Sequence, residues 1–303
     1  MRRIPERRLH AGRGRAASGR ARARPIRAQR GFTLNELIIT MVLLAIVAAL
    51  GAQFVKPAVD SYVDTLRRAE LTDFADLLAR RMERELRSAL PNSIRLSATA
   101  NGFALEFVPT RGGGLYRALP TAAAGGDVLR FDVADSAFSV LGPVPIHAAG
   151  DYLVIANLGE NSGSDFYGAG NLNRTALTSS NTATTAYSTD SAPFSIAFTS
   201  FRFPVPSPAS RFHVATAPVS YVCDTSARTL ARHSGYGVAA TQPVPPAGAT
   251  RTDLLAANLS TCTMRYSPGV TSRVGLVSME MKIADARGES VNLVMQAHVT
   301  NEP

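Results

Sequence analysis

Nineteen consecutive residues without a charge, "LIITMVLLAIVAALGAQFV", stand between Glu36 and Lys56. As a helix at about 1.5 Å per residue they nearly match the roughly 30 Å hydrocarbon layer of a bilayer. No other stretch of the 303 residues restricts the fold so strongly. The run predicts a membrane-spanning helix, and the charges around it predict its direction. Residues 1–31 hold 11 arginines and a single acid, Glu6, whereas residues 32–303 carry a net charge of −1. By the positive-inside rule the leading arm stays cytoplasmic and everything after Lys56 is exported. The overall charge of +9 therefore reflects the arm alone. That arm has no aromatic residue to stack on bases and no periodicity, so it reads as a disordered basic leader and not as a nucleic-acid binder. A secretory signal peptide fits less well, because the apolar run is longer than an h-region and no small-x-small cleavage site follows it.

Inside the run, Thr33, Asn35 and Thr40 are mild intrusions, since threonine bonds back to its own helix and Asn35 sits near the interface. Glu36 is different. A carboxylate at that depth is costly and calls for a partner, and no other ionisable side chain in the run can supply one. A cut between Gly31 and Phe32 would supply it, by creating an α-amine one helical turn before Glu36.

"RGFTLNELI" resembles the class III signal of type IV pilins and type II secretion pseudopilins. That resemblance implies a prepilin peptidase that cuts after Gly31 and methylates the new N-terminal nitrogen of Phe32. It further implies that Glu36 pairs with the amine of a neighbouring subunit during assembly. Asn35 stands where the family usually has an apolar residue, and the leader is longer than most. The partners it implies are other pilin or pseudopilin subunits, the peptidase/methyltransferase and an inner-membrane assembly platform. The localisation it implies is a single-pass inner-membrane protein whose C-terminal domain is periplasmic, with incorporation into a pilus or pseudopilus.

Helical periodicity resumes after Pro57, with Val59, Tyr62, Val63, Leu66, Phe74, Leu77, Leu78, Met82, Leu86 and Leu90 recurring at three- and four-residue steps. One helix over residues 32–90, kinked near Pro57, is the expectation. Asp64 with Arg68, Asp76 with Arg80 and Glu83 with Arg87 would decorate its exposed face. Beyond it, short β-rich runs such as "SIRLSA", "FALEFVP", "VLRFDV", "YLVIAN", "SIAFTSFRF", "PVSYVCD", "TLARHS" and "CTMRYS" alternate with turn residues. The fold class is α+β: a long N-terminal helix packed on a mainly antiparallel β domain. The division expected is a leader at 1–31, a membrane half-helix at 32–56, an exported amphipathic half at 57–90 and a β-rich domain at 91–303. "VGLVSMEMKI" and "SVNLVMQAHVT" form the clearest hairpin, with Val277, Met279, Met281 and Ile283 facing inward beside Val291, Leu293, Met295, Ala297 and Val299. Residues 157–192 read as an extended surface loop. "RGGGLYR" at 111–117 reads as a turn.

Cys223 and Cys262 are the only cysteines. In an oxidising compartment they would be joined, for about 2–4 kcal/mol of stability, and no His–acid pair or CxxC suggests catalysis by either. His10, His147, His213, His233 and His298 show no metal-ligand spacing. Glu160, Asp165, Asn171 and Asn173 could offer oxygens to calcium, but their spacing fits no EF-hand and plain loop chemistry is the expectation. No catalytic motif, cofactor signature or metal set is evident, so the expectation is a non-enzyme.

Within the family, four stretches carry a finer resemblance: "LLARRMERELRSALPNSIRL", "LVIANLG…DFYGAGNLNRTAL", the hairpin "VSYVCD…RTLARHSGY" and the close "VNLVMQAHVTNEP". They are similar to minor-pilin-like biogenesis proteins of the mannose-sensitive haemagglutinin pilus. A J-type pseudopilin of type II secretion, or an adhesin module at a fibre tip, remain the alternatives.

Overall fold

The computed structural model describes residues 31–120, 126–160, 162–170, 172–182, 187–188, 194–268, 274–285 and 287–302. Residues 1–30 of the leader, His10 among them, and Asn171 lie outside these. The chain divides into two compact units, 1–60 and 61–303. One α-helix, α1 (Leu34–Arg87), contributes to both and continues through Pro57. It ends three residues short of the expected limit. Ala89 bridges Pro109 and the Leu90 N–H donates to the Val108 carbonyl at 2.7 Å, so the backbone there is taken up by β pairing.

Fifteen strands follow: β1 (Arg95–Thr99), β2 (Gly102–Phe107), β3 (Thr110–Tyr116), β4 (Asp135–Pro143) and β5 (Tyr152–Val154). Then come β6 (Arg174–Ala176), β7 (Tyr187–Ser188), β8 (Phe194–Phe201), β9 (Arg211–Ala215) and β10 (Val219–Asp224). The last are β11 (Thr229–Ser234), β12 (Arg251–Ala257), β13 (Leu259–Ser267), β14 (Val274–Ala284) and β15 (Ser290–Thr300). All pair antiparallel, in three sheets, so the architecture is α+β.

Sheet β1-β2-β10-β11-β12 and sheet β13-β14-β15 share one apolar core with the helix. Leu78, Met82 and Leu86 from α1 meet Leu105, Phe107 and Tyr221 from one sheet and Val277, Met279 and Met281 from the other. Each such side chain, once buried, contributes about 1.5–3 kcal/mol. Val277, Met279, Met281 and Ile283 are all buried, as are Met295, Ala297 and Val299, and Val291 and Leu293 on the same face are half-buried. The period-2 alternation of the last hairpin thus translates directly into a core face. The helical stripe translates only in part. Tyr62, Leu66, Phe74 and Leu77 remain exposed, while Ala75, Leu78, Met82 and Leu86 are buried.

The third sheet closes on itself. Its order is β6-β5-β9-β3-β4, with β8 also on β4, and the Leu177–Phe198 bridge and the Thr178 N–H donating to the Ala197 carbonyl at 2.9 Å join β6 back to β8. Phe138, Val140, Leu153, Ile196, Phe198, Phe212 and Val214 fill the interior of this small barrel. Closure leaves few free edges.

Three local expectations are corrected here. "RGGGLYR" is not a turn; it lies in β3, beside β9. A Cβ on Gly113 would come within 2.6 Å of the Phe212 carbonyl oxygen, and one on Gly114 within 2.9 Å of the Phe212 ring. The glycines make room for a neighbouring strand and its aromatic side chain. "VLRFDV" at 128–133 forms no strand, although Leu129 is buried and Phe131 packs against the barrel core. Nor is the middle segment a surface loop: Asn157, Ser164, Phe166, Tyr167, Asn173 and Leu177 are buried. Asn157 Nδ2 donates to the Pro91 carbonyl at 2.6 Å, and Asn157 Oδ1 accepts from the Phe166 N–H at 2.8 Å, so this stretch is tied to the segment that leaves the helix.

One buried ionic group, Arg95 with Glu106, and one half-buried group around Glu85 were invisible to periodicity. Arg95 and Glu106 are direct cross-strand partners on β1 and β2, and the guanidinium donates from Nε to Glu106 and from both terminal nitrogens to the Ala239 and Ala240 carbonyls. Burial pushes the Glu106 carboxyl up, against the opposing pull of Arg95 and Tyr236. On α1, Glu85 accepts from Tyr221 Oη at 2.8 Å, Arg232 Nε at 2.8 Å and Arg81 Nε at 3.2 Å. Burial alone would raise its carboxyl, but these donors together hold it below the usual carboxylate range. Asp64 pairs with Arg67 instead of Arg68, because Arg68 turns to Glu289 on the β14–β15 turn at 2.7 Å. The Asp76–Arg80 and Glu83–Arg87 pairs are present as expected.

Candidate processing and assembly site

The chain reaches α1 through Gly31, Phe32 and Thr33, none of them in regular structure. Thr33 starts the helix. Its carbonyl accepts the Leu37 N–H at 3.1 Å and its Oγ1 accepts the Glu36 N–H at 3.3 Å, which makes it the N-cap. "TLNE" has the S/T-x-x-E spacing of a capping box, a signal legible in the sequence. Thr40 Oγ1 bonds back to the Leu37 carbonyl at 2.9 Å, the expected accommodation of a threonine in an apolar helix.

A capping box would return the glutamate side chain to the N-cap N–H. Here Glu36 is exposed, and its carboxylate has neither a hydrogen bond nor an ion pair among the described residues. It stands in the first turn of the helix, four residues after Phe32. Its position in the first turn is electrostatically favourable, because the helix N-terminus carries partial positive charge. Its carboxylate oxygens remain open to a donor from elsewhere.

Phe32 is 78 % exposed. Gly31 has open space where a Cβ would stand, with nothing within 4 Å among the described residues. Packing among the described residues therefore gives no reason for a glycine at this position. The following helix contains an 18-residue window of mean hydropathy 2.5, none of it buried within the chain. Leu37, Ile38, Met41, Leu44, Val47 and Leu50 are all at least half exposed. So much apolar surface is stable only against lipid or other helices, and by length and composition the segment is consistent with membrane anchoring.

Cys223 on β10 and Cys262 on β13 are joined by a disulfide, with a Cα–Cα separation of 6.6 Å. The bond ties the two sheets of the helix-bearing core. The calcium-oxygen candidates do not gather. Glu160 and Asp165 border one surface cleft of about 700 Å³ together with Arg95, whereas Asn173 turns its amide onto Asn157 Oδ1 at 2.9 Å. No group of three or more His, Cys, Asp or Glu side chains suited to a metal occurs among the described residues. His147 contacts the Pro145 carbonyl and Ser179 Oγ, and His233 contacts Thr252 Oγ1, which are ordinary structural roles.

Residues 26–52 match the family model of the prokaryotic N-terminal methylation motif. Neither a curated protein nor a solved structure matches the chain. The match covers Gly31, Phe32, Thr33 and Glu36 and most of the apolar run, and it supports a type IV pilin-like protein that is processed by prepilin peptidase and works with pilin-type subunits.

Proposed function

We propose that the chain is a minor subunit of a type IV pilus of the mannose-sensitive haemagglutinin kind, MshO-like, that takes part in priming or assembling the fibre. In this reading residues 1–31 are removed at the Gly31–Phe32 bond and the Phe32 nitrogen is methylated. Residues 32–56 then sit in the inner membrane, the rest is periplasmic, and Glu36 receives the charged amine of a neighbouring subunit. The chain catalyses nothing; its chemistry is the acceptance of a proton-bearing amine by a carboxylate in a low-dielectric setting, where such a pair is far stronger than in water.

The observation that carries the reading is the open carboxylate of Glu36, at the head of an otherwise uncharged 19-residue run and one turn from an exposed Gly31–Phe32 bond. A simple anchor would gain from replacing Glu36 with an apolar residue, since a charge in the membrane is worth about +2.5–3.5 kcal/mol or more of penalty.

Mass spectrometry of the protein from its native membrane should find a mature chain that begins at N-methylated Phe32. Glu36→Ala should still be processed but be missing from sheared fibres. An intact leader, or a Glu36→Ala protein present in fibres at the wild-type level, would refute the proposal. Loss of surface fibres on deletion separates the pilus reading from a secretion pseudopilin, which would instead lose exoprotein release.

A further inference from the structure

The surface cleft of about 700 Å³ beside Arg95 has fixed walls. One wall is the segment 239–242. Arg95 donates from its two terminal nitrogens to the Ala239 and Ala240 carbonyls, and Ser97 Oγ donates to Gln242 Oε1 at 2.9 Å. Another wall carries Glu160 and Asp165. That stretch is held by the Phe166 N–H on Asn157 Oδ1 at 2.8 Å and by Tyr167 Oη, which donates to the Ser93 carbonyl at 3.0 Å. The Arg95 guanidinium lies over the Tyr167 ring, 3.7 Å from its centroid, so one side chain clamps both walls. A site held in this way is formed before any ligand arrives, and its volume falls within the roughly 300–1,000 Å³ of small-molecule sites.

The charges lining the cleft do not balance. Arg95 is buried and each of its guanidinium nitrogens is engaged, Nε with the buried Glu106 and the other two with carbonyls, so its charge is matched inside the protein. Glu160 is exposed and comes only to 4.0 Å from Arg95. Asp165 is 9 % exposed. Its Oδ1 accepts the Tyr167 N–H at 3.0 Å, and its Oδ2 has no partner among the described residues. Arg174 acts on Asp165 through space, but it forms no ion pair with it among the described residues and does not line the cleft. A carboxylate withdrawn from water with one oxygen unpaired is costly, and a cation in the cleft would offset that cost.

We propose that this cleft binds an organic cation, an ammonium or guanidinium group whose charge is met by the Asp165 and Glu160 carboxylates. A calcium ion fits poorly. It takes about six to eight oxygen ligands, whereas two carboxylates line the cleft and a guanidinium stands 4.0 Å from one of them. An ammonium has three donors to place, and the apolar surface of Leu96, Tyr266 and Pro268 suits the alkyl stem that carries it. The exposed Thr241 on the other wall would meet a polar remainder of the ligand. A lysine or arginine side chain of a polypeptide and a free small amine share this chemistry. The inference rests on the cleft alone and not on the assignment to a fibre.

The test uses the full chain in a neutral detergent. The probe is a short glycine–serine peptide with blocked ends, a neutral fluorophore and one lysine, and the same peptide with that lysine acetylated is the comparison. Expected by fluorescence anisotropy is saturable binding of the lysine peptide, weakened by salt, and none of the acetylated one. Asp165→Asn keeps an acceptor for the Tyr167 N–H and should weaken binding about 10- to 100-fold, the worth of a hydrogen bond to a charged group. Glu160→Gln changes only an exposed side chain, so it tests the charge where the buried substitution fails to fold, and it should weaken binding less. Displacement by butylamine at concentrations like the peptide's points to a free amine as the ligand, and displacement only at large excess points to a side chain on a polypeptide. No saturation, equal binding of the acetylated peptide, exclusion of the peptide by calcium, or wild-type affinity in Glu160→Gln and in folded Asp165→Asn would overturn the proposal. Binding is measured on the purified chain, so its failure is distinguishable from failure of the processing and fibre reading, which is tested in cells.

Discussion

Glu85 ties the helix to β10 through the Tyr221 hydroxyl and to β11 through the Arg232 guanidinium, and its removal should be measurable. In Glu85→Gln the neutral amide keeps the volume and one acceptor, but Arg232 Nε loses its carboxylate at 2.8 Å and Arg81 loses one at 3.2 Å. Glu85 and Arg232 have 23 % and 18 % of their side-chain surface exposed, between the surface case and the fully buried one. A fully buried pair broken on one side costs about 3–5 kcal/mol, and an exposed pair about 0–1 kcal/mol. The expected loss is therefore about 2–3 kcal/mol, or about 4–12 °C in Tm for a unit of this size. With no tryptophan in the chain, far-ultraviolet circular dichroism of the detergent-solubilised protein is the suitable readout. The pH profile gives an independent check. Because the folded carboxyl titrates below its ordinary value, its contribution is complete above the unfolded value and is lost as pH falls through the folded one. Glu85→Gln should flatten the acid limb and leave the neutral limb merely shifted down. A loss below about 0.5 kcal/mol, or a Glu85→Gln/Arg232→Met cycle with no coupling energy, would refute the reasoning.

Two other outcomes follow from the geometry. Cys223→Ser should remove the mobility difference between reduced and non-reduced gels and lower stability by about 2–4 kcal/mol, checked by denaturant titration; an unchanged midpoint would show that the bond between the sheets stabilises nothing. Gly114→Val should cost about 1–3 kcal/mol by forcing the Phe212 ring out of its place, with Phe212→Leu in the same chain recovering part of the loss; equal stability of Gly114→Val and wild type would count against a steric role for the glycine run.

Local patterns carried the existence of some elements. The span between Glu36 and Lys56, the helical periodicity above it and the alternation in β14 and β15 were all readable because each depends on contacts within a few residues or on a single buried face. The glycine run and the middle segment were not. "RGGGLYR" has the composition of a turn, and only the approach of Phe212, about a hundred residues later in the chain, makes it a strand. The polar stretch after Asn157 has the composition of a loop, and only its hydrogen bonds to Pro91 and Ser93 carry it inside. Composition reports the average preference of a segment, while burial is decided by whether distant groups satisfy its polar atoms.

The sequence by itself determined which segment is long and apolar enough to cross a membrane, that the net positive charge comes from the leading 31 residues, and that Gly31, Phe32 and Glu36 stand at fixed spacing before an apolar helix. Those properties are covalent order, and folding cannot alter them. Tertiary structure alone decided which face of the upper helix is buried, that Arg68 leaves Asp64 for Glu289, that the third sheet closes, and that Glu36 finds no partner among the described residues. Each of these depends on strand register and on groups brought together from far apart in the chain, and register is set by the summed burial of whole sheets, which no short window of sequence contains.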